Sequence, residues 1–182
     1  MYFKYFLLVL VDLFVSAMNI FLAPIVVLFA DKSGWLPKWL WWFQTPGDSL
    51  YGSTGWQTKD RWFLVEDTKW KQWLNKVGWL YRNPIYGFAI DVLGIQGEET
   101  DTLVITGDVL TSNHNPIHYG SVRYELVRSG KVIAFQVYTV KPTSWYNSRY
   151  TRTNYGWKLW SFPTKEKIQF TFSPNPFRKI HK

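Results

Sequence analysis

The chain has 182 residues and no cysteine, which excludes disulfides and thiolate metal sites and leaves room for one anchor with one or two small folded units. Aromatic residues make up 20% of it, and its 12 tryptophans are typical of surfaces between water and an apolar phase. The net charge of +8 is uneven, because residues 1–101 hold 9 Lys and Arg against 10 Asp and Glu, whereas residues 102–182 hold 12 against 3. This basic C-terminal part favours contact with anionic lipid headgroups or nucleic acid, or is a solvated basic face.

An apolar run opens the chain, and we predict that residues 1–43 form a membrane anchor. From Tyr5 to Ala30 the only Asp, Glu, Lys or Arg is Asp12. A continuous helix there rises roughly 39 Å, more than the ~30 Å hydrocarbon core requires. Pro24 removes one helical hydrogen bond and predicts a kink.

Four interpretations of this run differ in where it lies. The favoured one is a single kinked span, and the others are a re-entrant or in-plane hairpin bent near Asn19–Pro24, a cleaved signal peptide, and a buried helix of a soluble protein. Lys32 and Lys38 follow the run and Lys4 alone precedes it, so the positive-inside rule predicts residues 31–182 in the cytoplasm and the N-terminus outside.

A tryptophan-rich segment follows, and its rings predict a membrane–water boundary. The predicted interfacial residues are Tyr5, Trp35, Trp39, Trp41 and Trp42. Residues 44–61 are rich in Gly, Ser, Thr and Pro, which predicts a loop and a domain boundary.

Residues 62–182 are predicted to form one α+β domain. A helix over about 67–82 is indicated by Asp67 or Thr68 as N-cap and by apolar residues at helical spacing, namely Trp70, Trp73, Leu74, Val77, Leu80 and Tyr81. This amphipathic helix would lie in the membrane interface or cover a sheet. The pattern over about 102–172 alternates with period 2 and predicts five short antiparallel strands: Thr102–Leu110, Ser121–Arg128, Lys131–Val140, Tyr155–Phe162 and Lys167–Phe172.

One stretch, YNSRYTRTNY, mixes arginines with tyrosines. Such residues bind lipid headgroups, a partner protein or nucleic acid, and they also occur in plain hairpin loops. The predicted anionic-ligand or partner surface comprises Tyr146, Arg149, Tyr150, Arg152 and Lys158. No metal is predicted, since Pro116 lies between His114 and His118 and breaks the helical spacing that zinc would need.

No catalytic motif is present, and no cofactor is predicted. Two acidic clusters, Asp48–Asp67 and Glu98–Asp101, leave open an enzyme acting on lipid or cell-wall precursors.

Four strings carry a family resemblance: NIFLAPIVVLFADKSGWLPKWLWWFQTP, LYRNPIYGF, NYGWKLW and FTFSPNPF. They resemble small membrane-associated proteins of tailed bacteriophages and prophages, a family that brings no established activity. The resemblance implies a phage origin and the host inner membrane. The expected function is therefore a membrane-anchored accessory protein that binds an inner-membrane component of the host, as in host takeover or superinfection exclusion. A nucleic-acid binder at the membrane is the further alternative, and the sequence leaves the oligomeric state open.

Overall fold

The computed structural model describes residues 1–111, 118–143, 149–161 and 167–179. The helices are α1 (Tyr2–Val26), α2 (Lys69–Arg82) and α3 (Tyr86–Asp91), with short helical turns at Val27–Phe29, Lys38–Phe43, Trp56–Asp60 and Leu159–Ser161. The strands are β1 (Ile95–Gln96), β2 (Thr102–Gly107), β3 (Gly120–Arg128), β4 (Lys131–Pro142), β5 (Arg149–Trp157), β6 (Lys167–Ile168) and β7 (Phe170–Lys179). The predicted α+β class, apolar N-terminal helix and five-stranded antiparallel sheet are confirmed.

The chain divides into two compact units. The sheet unit comprises Met1–Val9 and Gly94–Lys182, and the helical unit comprises Leu10–Leu93. The 44–61 segment, which is predicted to be a loop, lies inside the helical unit and contains packed residues. Gln44 and Leu50 are fully buried, and the Gln44 Oε1 accepts a hydrogen bond of 3.1 Å from the Leu36 amide.

The sheet unit has the strand order β2-β3-β4-β5-β7, and all neighbours are antiparallel. Ser129–Gly130, the gap between the predicted strands Ser121–Arg128 and Lys131–Val140, joins β3 and β4 as a two-residue turn. Both residues have positive φ, which matches the twist of a tight hairpin. β1 pairs with β6 in a separate two-stranded sheet.

Strand β5 begins earlier than the predicted Tyr155–Phe162. It takes in Arg149–Asn154, and it ends at Trp157, before the helical turn at Leu159–Ser161. A register shift between Tyr150 and Arg152 interrupts the period-2 pattern, which hides the start of this strand in the sequence. Phe162 lies outside the described residues.

One face of the sheet buries a polar pair. Gln136 Nε2 donates to Asn154 Oδ1 at 2.8 Å, and the Trp160 amide donates to Gln136 Oε1 at 3.1 Å. The Tyr138 ring meets the Trp160 ring edge to face at 5.2 Å. These hydrogen bonds satisfy buried polar groups that would otherwise destabilise the face.

On the other face of the sheet, the first turns of α1 cover three aromatic rings. Tyr5 packs 5.0 Å from Phe135, 5.8 Å from Trp157 and 5.3 Å from Phe170, and its hydroxyl donates to the Thr171 carbonyl at 3.1 Å. This face of the sheet therefore takes a cover from the far end of the chain. The buried side of α2 packs within the helical unit, and a cover of the sheet by α2 stays a prediction.

Helix α2 forms as predicted. The Thr68 hydroxyl caps it by accepting from the Lys71 amide at 3.3 Å, and Asn83–Pro84 ends it. Val77, Trp79 and Leu80 are buried, whereas Trp70 is 62% exposed. The buried side of α2 therefore differs from the predicted apolar side, because it includes Trp79 and leaves out Trp70. Trp79 lies against Trp56, and both rings pack on Gly52. Gly52 has a positive φ, and a Cβ added there would lie 2.6 Å from each ring, so this position requires glycine.

Candidate functional site

The most distinctive surface is one side of α1, which we call the apolar face. Its residues are exposed and recur at helical spacing: Phe3, Leu7, Leu10, Phe14, Met18, Phe21, Ile25 and, in the turn that follows, Leu28. Phe14 is 67% exposed and Phe21 is 77% exposed. Solvent-exposed helices of soluble proteins normally place such side chains inward, so the apolar face is suited to a non-aqueous neighbour.

The polar side chains of the same helix lie on the opposite side. Asn19 is buried, and Tyr5, Asp12 and Ser16 are half-buried. At 3.6 residues per turn these positions form one stripe roughly opposite the apolar face. Helix α1 therefore turns its polar groups toward protein and its largest apolar groups outward.

Two side chains of α2 satisfy the backbone of α1 around Pro24. Proline has no amide hydrogen, so the Ile20 carbonyl four residues earlier loses its helical partner. The Tyr81 hydroxyl donates to that carbonyl at 2.8 Å, and the Trp73 Nε1 donates to the Pro24 carbonyl at 3.2 Å. The proline is thus accommodated by hydrogen bonds from α2.

The contact also runs the other way. Asn19 Nδ2 donates to the Leu80 carbonyl at 3.0 Å, near the end of α2 where carbonyls lack helical partners. Pro24 and Asn19, each alone of its kind in the apolar run, were the sequence signals for hydrogen bonds between α1 and another element. The sequence does not say that the partners lie on α2.

The length and composition of residues Tyr2–Phe29 suffice to cross a membrane, and an 18-residue window within them has a mean hydropathy of 2.3. A signal sequence near the N-terminus passes the same test. Within the described residues no other helix meets this test. A core helix of a soluble protein passes it too but is mostly buried, whereas only 17% of this apolar window is buried.

The predicted interfacial tryptophans lie in the helical unit with mixed exposure. Trp39 and Trp42 are exposed and Trp41 is half-buried, while Trp35 is partly exposed and stacks on Trp41 at 6.4 Å. Tyr5 instead belongs to the sheet unit, where its ring and hydroxyl contact protein.

The predicted anionic-ligand surface is only partly assembled. Arg149 and Arg152 are half-buried on β5, but Tyr150 is 2% exposed and cannot stack on a ligand. Burial lowers the pKa of Lys158 to about 8, so part of its charge is lost above neutral pH. Tyr146 lies outside the described residues.

Five acidic residues of the two predicted acidic clusters form ion pairs with basic neighbours. Asp60 pairs with Arg82 at 2.7 Å, and Asp101 accepts two hydrogen bonds from Arg128, which hold its pKa below the ordinary value. Glu66 pairs with Arg61, Asp67 with Lys71, and Glu98 with Arg128. The Asp48 carboxylate raises the pKa of Tyr86, although burial is the larger cause.

The sequence predicts no metal site at the histidines, and the structure shows where one of them lies. His118 contacts Asp108 at 2.5 Å, and this bond lowers the pKa of Asp108. In the described part of the chain no three His, Cys, Asp or Glu side chains cluster as metal ligands, and His114 lies outside it.

Comparison with known proteins gives one match, to the model of a family of unknown function, DUF7338, over residues 1–182. No curated protein and no solved structure matches the chain.

Proposed function

The chain belongs to this family of unknown function, and we propose that it is a membrane-attached protein that acts by binding. The observation that carries the proposal is the apolar face of α1, which is exposed along the helix while the polar side chains point into the protein. Exposed apolar area costs about 25 cal/mol per Å² in water, and a bilayer removes that cost. Lipid is therefore the neighbour that best fits α1.

The resemblance to proteins of tailed phages and prophages supports the host inner membrane as this bilayer. A protein made in the host cytoplasm reaches the membrane from that side, and the basic residues 102–182 suit the anionic cytoplasmic leaflet. We propose a host inner-membrane protein as the partner, in a host-takeover or superinfection-exclusion role.

A second candidate, nucleic-acid binding at the membrane, is favoured by the placement of basic residues along β5 and β7. Arg149 is in register with Lys179, and Tyr150 is in register with Arg178, so the backbone brings these positions to one end of the sheet. A retardation assay at several salt concentrations tests it, since binding to phosphates weakens steeply with salt. Absence of a salt-dependent shift removes this candidate.

Vesicle flotation of the full chain tests the membrane proposal. The vesicles contain phosphatidylethanolamine with a minority of phosphatidylglycerol. The wild-type protein is expected to float, and Phe14→Asp is expected to float much less, because an Asp in the hydrocarbon region costs about 2.5–3.5 kcal/mol on insertion scales.

The matched control is Lys69→Asp, which places the same side chain on the exposed first turn of α2. The Lys69→Asp variant should float nearly as well as the wild type. Any small loss should come from its more negative net charge, which weakens attraction to the anionic phosphatidylglycerol. A wild-type protein that stays at the bottom of the gradient, folded and monodisperse, contradicts membrane attachment.

A further inference from the structure

The two ends of α1 belong to different units. Its first turns, through Val9, are part of the sheet unit, where Tyr5 contacts Phe135 and the Thr171 carbonyl. From Leu10 onward it is part of the helical unit, where its backbone accepts hydrogen bonds from Trp73 and Tyr81. A folded unit therefore holds each end of this apolar helix.

The chain path restricts how such a helix can meet a bilayer. If α1 crossed the membrane, its first and last turns would lie on opposite sides, and so would the units that hold them. The chain leaves the helical unit at Leu93 and re-enters the sheet unit at Gly94, so it would have to cross a second time. Among the described residues only Tyr2–Phe29 is long and apolar enough to cross, and each segment between the described ranges is too short for a second span.

The two sides of α1 agree with this restriction. A helix surrounded by lipid is apolar all round, whereas α1 places Asn19, Ser16 and Asp12 on one side and its large exposed apolar residues on the other. A helix that lies at a membrane surface has this division, with the apolar side immersed by about 5–10 Å.

We infer that α1 does not span the membrane but lies in its plane, with the apolar face immersed in one leaflet. The inference rests on the proposed membrane attachment and replaces the span favoured by the sequence. The exposed side chains of Lys4, Lys32 and Lys38 suit the headgroup layer, with Trp39 and Trp42 at its boundary with the hydrocarbon. Both ends of α1 then face the same aqueous compartment.

The absence of cysteine allows a clean test with single-cysteine variants of the full chain. Lys4→Cys and Lys32→Cys report the two ends of α1, and Lys131→Cys, on the exposed start of β4, serves as the reference. Each variant is added to preformed vesicles of phosphatidylethanolamine and phosphatidylglycerol, recovered by flotation, and treated with a membrane-impermeant maleimide before and after the vesicles are dissolved in detergent.

An in-plane helix predicts full labelling of all three cysteines before detergent. A span predicts that either Lys4→Cys or Lys32→Cys is protected until detergent is added, and this result would overturn the inference while leaving membrane attachment intact. Failure of all variants and of the wild type to float would instead contradict the proposed function.

A second measurement gives depth. Nitroxide-labelled lipids quench a fluorophore placed at Phe3→Cys, Phe14→Cys or Phe21→Cys, all three on the apolar face. An in-plane helix predicts the same shallow depth at the three positions. A depth maximum at Phe14, with both flanking positions shallow, would contradict the in-plane placement.

Discussion

Helices α1 and α2 differ in the side chains that they expose to their surroundings. Helix α2 buries Val77 and Trp79 and exposes Lys69, the ordinary arrangement for a helix that meets water. Helix α1 buries Asn19 and exposes Phe21. The same physical rule gives both patterns if the outer side of α2 meets water and the outer side of α1 meets lipid. The direction of amphipathicity thus reports the medium as well as the fold.

The two helices are linked by side-chain hydrogen bonds to backbone carbonyls. Each helix supplies a donor to a carbonyl of the other helix that has no helical partner. Asn19 serves a carbonyl at the end of α2, and Tyr81 serves the carbonyl that Pro24 leaves open in α1. Four predictions can break or sharpen the comparison.

The largest effect is expected at the buried side of α2. Trp79→Ala removes a ring that is 3% exposed, so it should lower the free energy of unfolding by about 3–5 kcal/mol. Trp70→Ala, on the outer side of the same helix, should change it by less than about 0.5 kcal/mol. Urea unfolding in mild detergent measures both. Equal losses would mean that α2 has no single buried side.

The next prediction compares two neighbouring positions on opposite sides of α1. Phe21→Asp should weaken vesicle binding by up to about 2.5–3.5 kcal/mol while leaving the unfolding free energy in detergent nearly unchanged. Ala23→Asp places a carboxylate at a fully buried position, so it should destabilise the fold itself. Flotation and urea unfolding separate the two effects, and a fold as damaged by Phe21→Asp as by Ala23→Asp would refute the inverted pattern.

Asn19→Leu tests the polar contact from α1 to α2. The substitution keeps the branched skeleton and the number of side-chain heavy atoms but leaves the buried Leu80 carbonyl without its donor, at a cost of about 1–3 kcal/mol. Met18→Leu, at an exposed neighbouring position, is the control. If Asn19→Leu stabilises the protein in detergent, the amide contributes nothing to holding the helices together.

The smallest effect is expected at Tyr81. Tyr81→Phe removes the donor to the Ile20 carbonyl and should cost about 0.5–1.5 kcal/mol. In a Pro24→Ala background the helix supplies its own amide to that carbonyl, so the same change should cost less. A double-mutant cycle measures the difference, and a coupling energy of zero would separate the hydroxyl from the proline.

Local patterns were enough to predict several elements. Thr68 and the helical spacing after it located α2, Ser129–Gly130 located the hairpin, and the absence of charge located α1. Each of these signals lies within a few residues of the structure that it specifies, which is why a single sequence reveals it.

The assignments that failed depend on distant residues. Asn75 reads as part of a polar face, yet its side chain is buried and bonds the Phe63 backbone amide at 2.9 Å and carbonyl at 2.7 Å. Tyr150 reads as a surface ring, but its side chain on the inner strand β5 is buried. Helical or strand periodicity cannot say which other segment will cover a residue.

The hydrogen bond between Tyr5 and Thr171 joins residues 166 positions apart in the sequence. We therefore expect the cover of the sheet by α1 to form late in folding. Contacts this far apart form slowly, because a long loop must close before they contribute. During synthesis, the helical unit emerges as one continuous segment, whereas the sheet unit needs β7 before Tyr5 can meet its partners. Until then the first turns of α1 lack this cover, and an uncovered apolar segment makes the chain prone to aggregation while the sheet is completed.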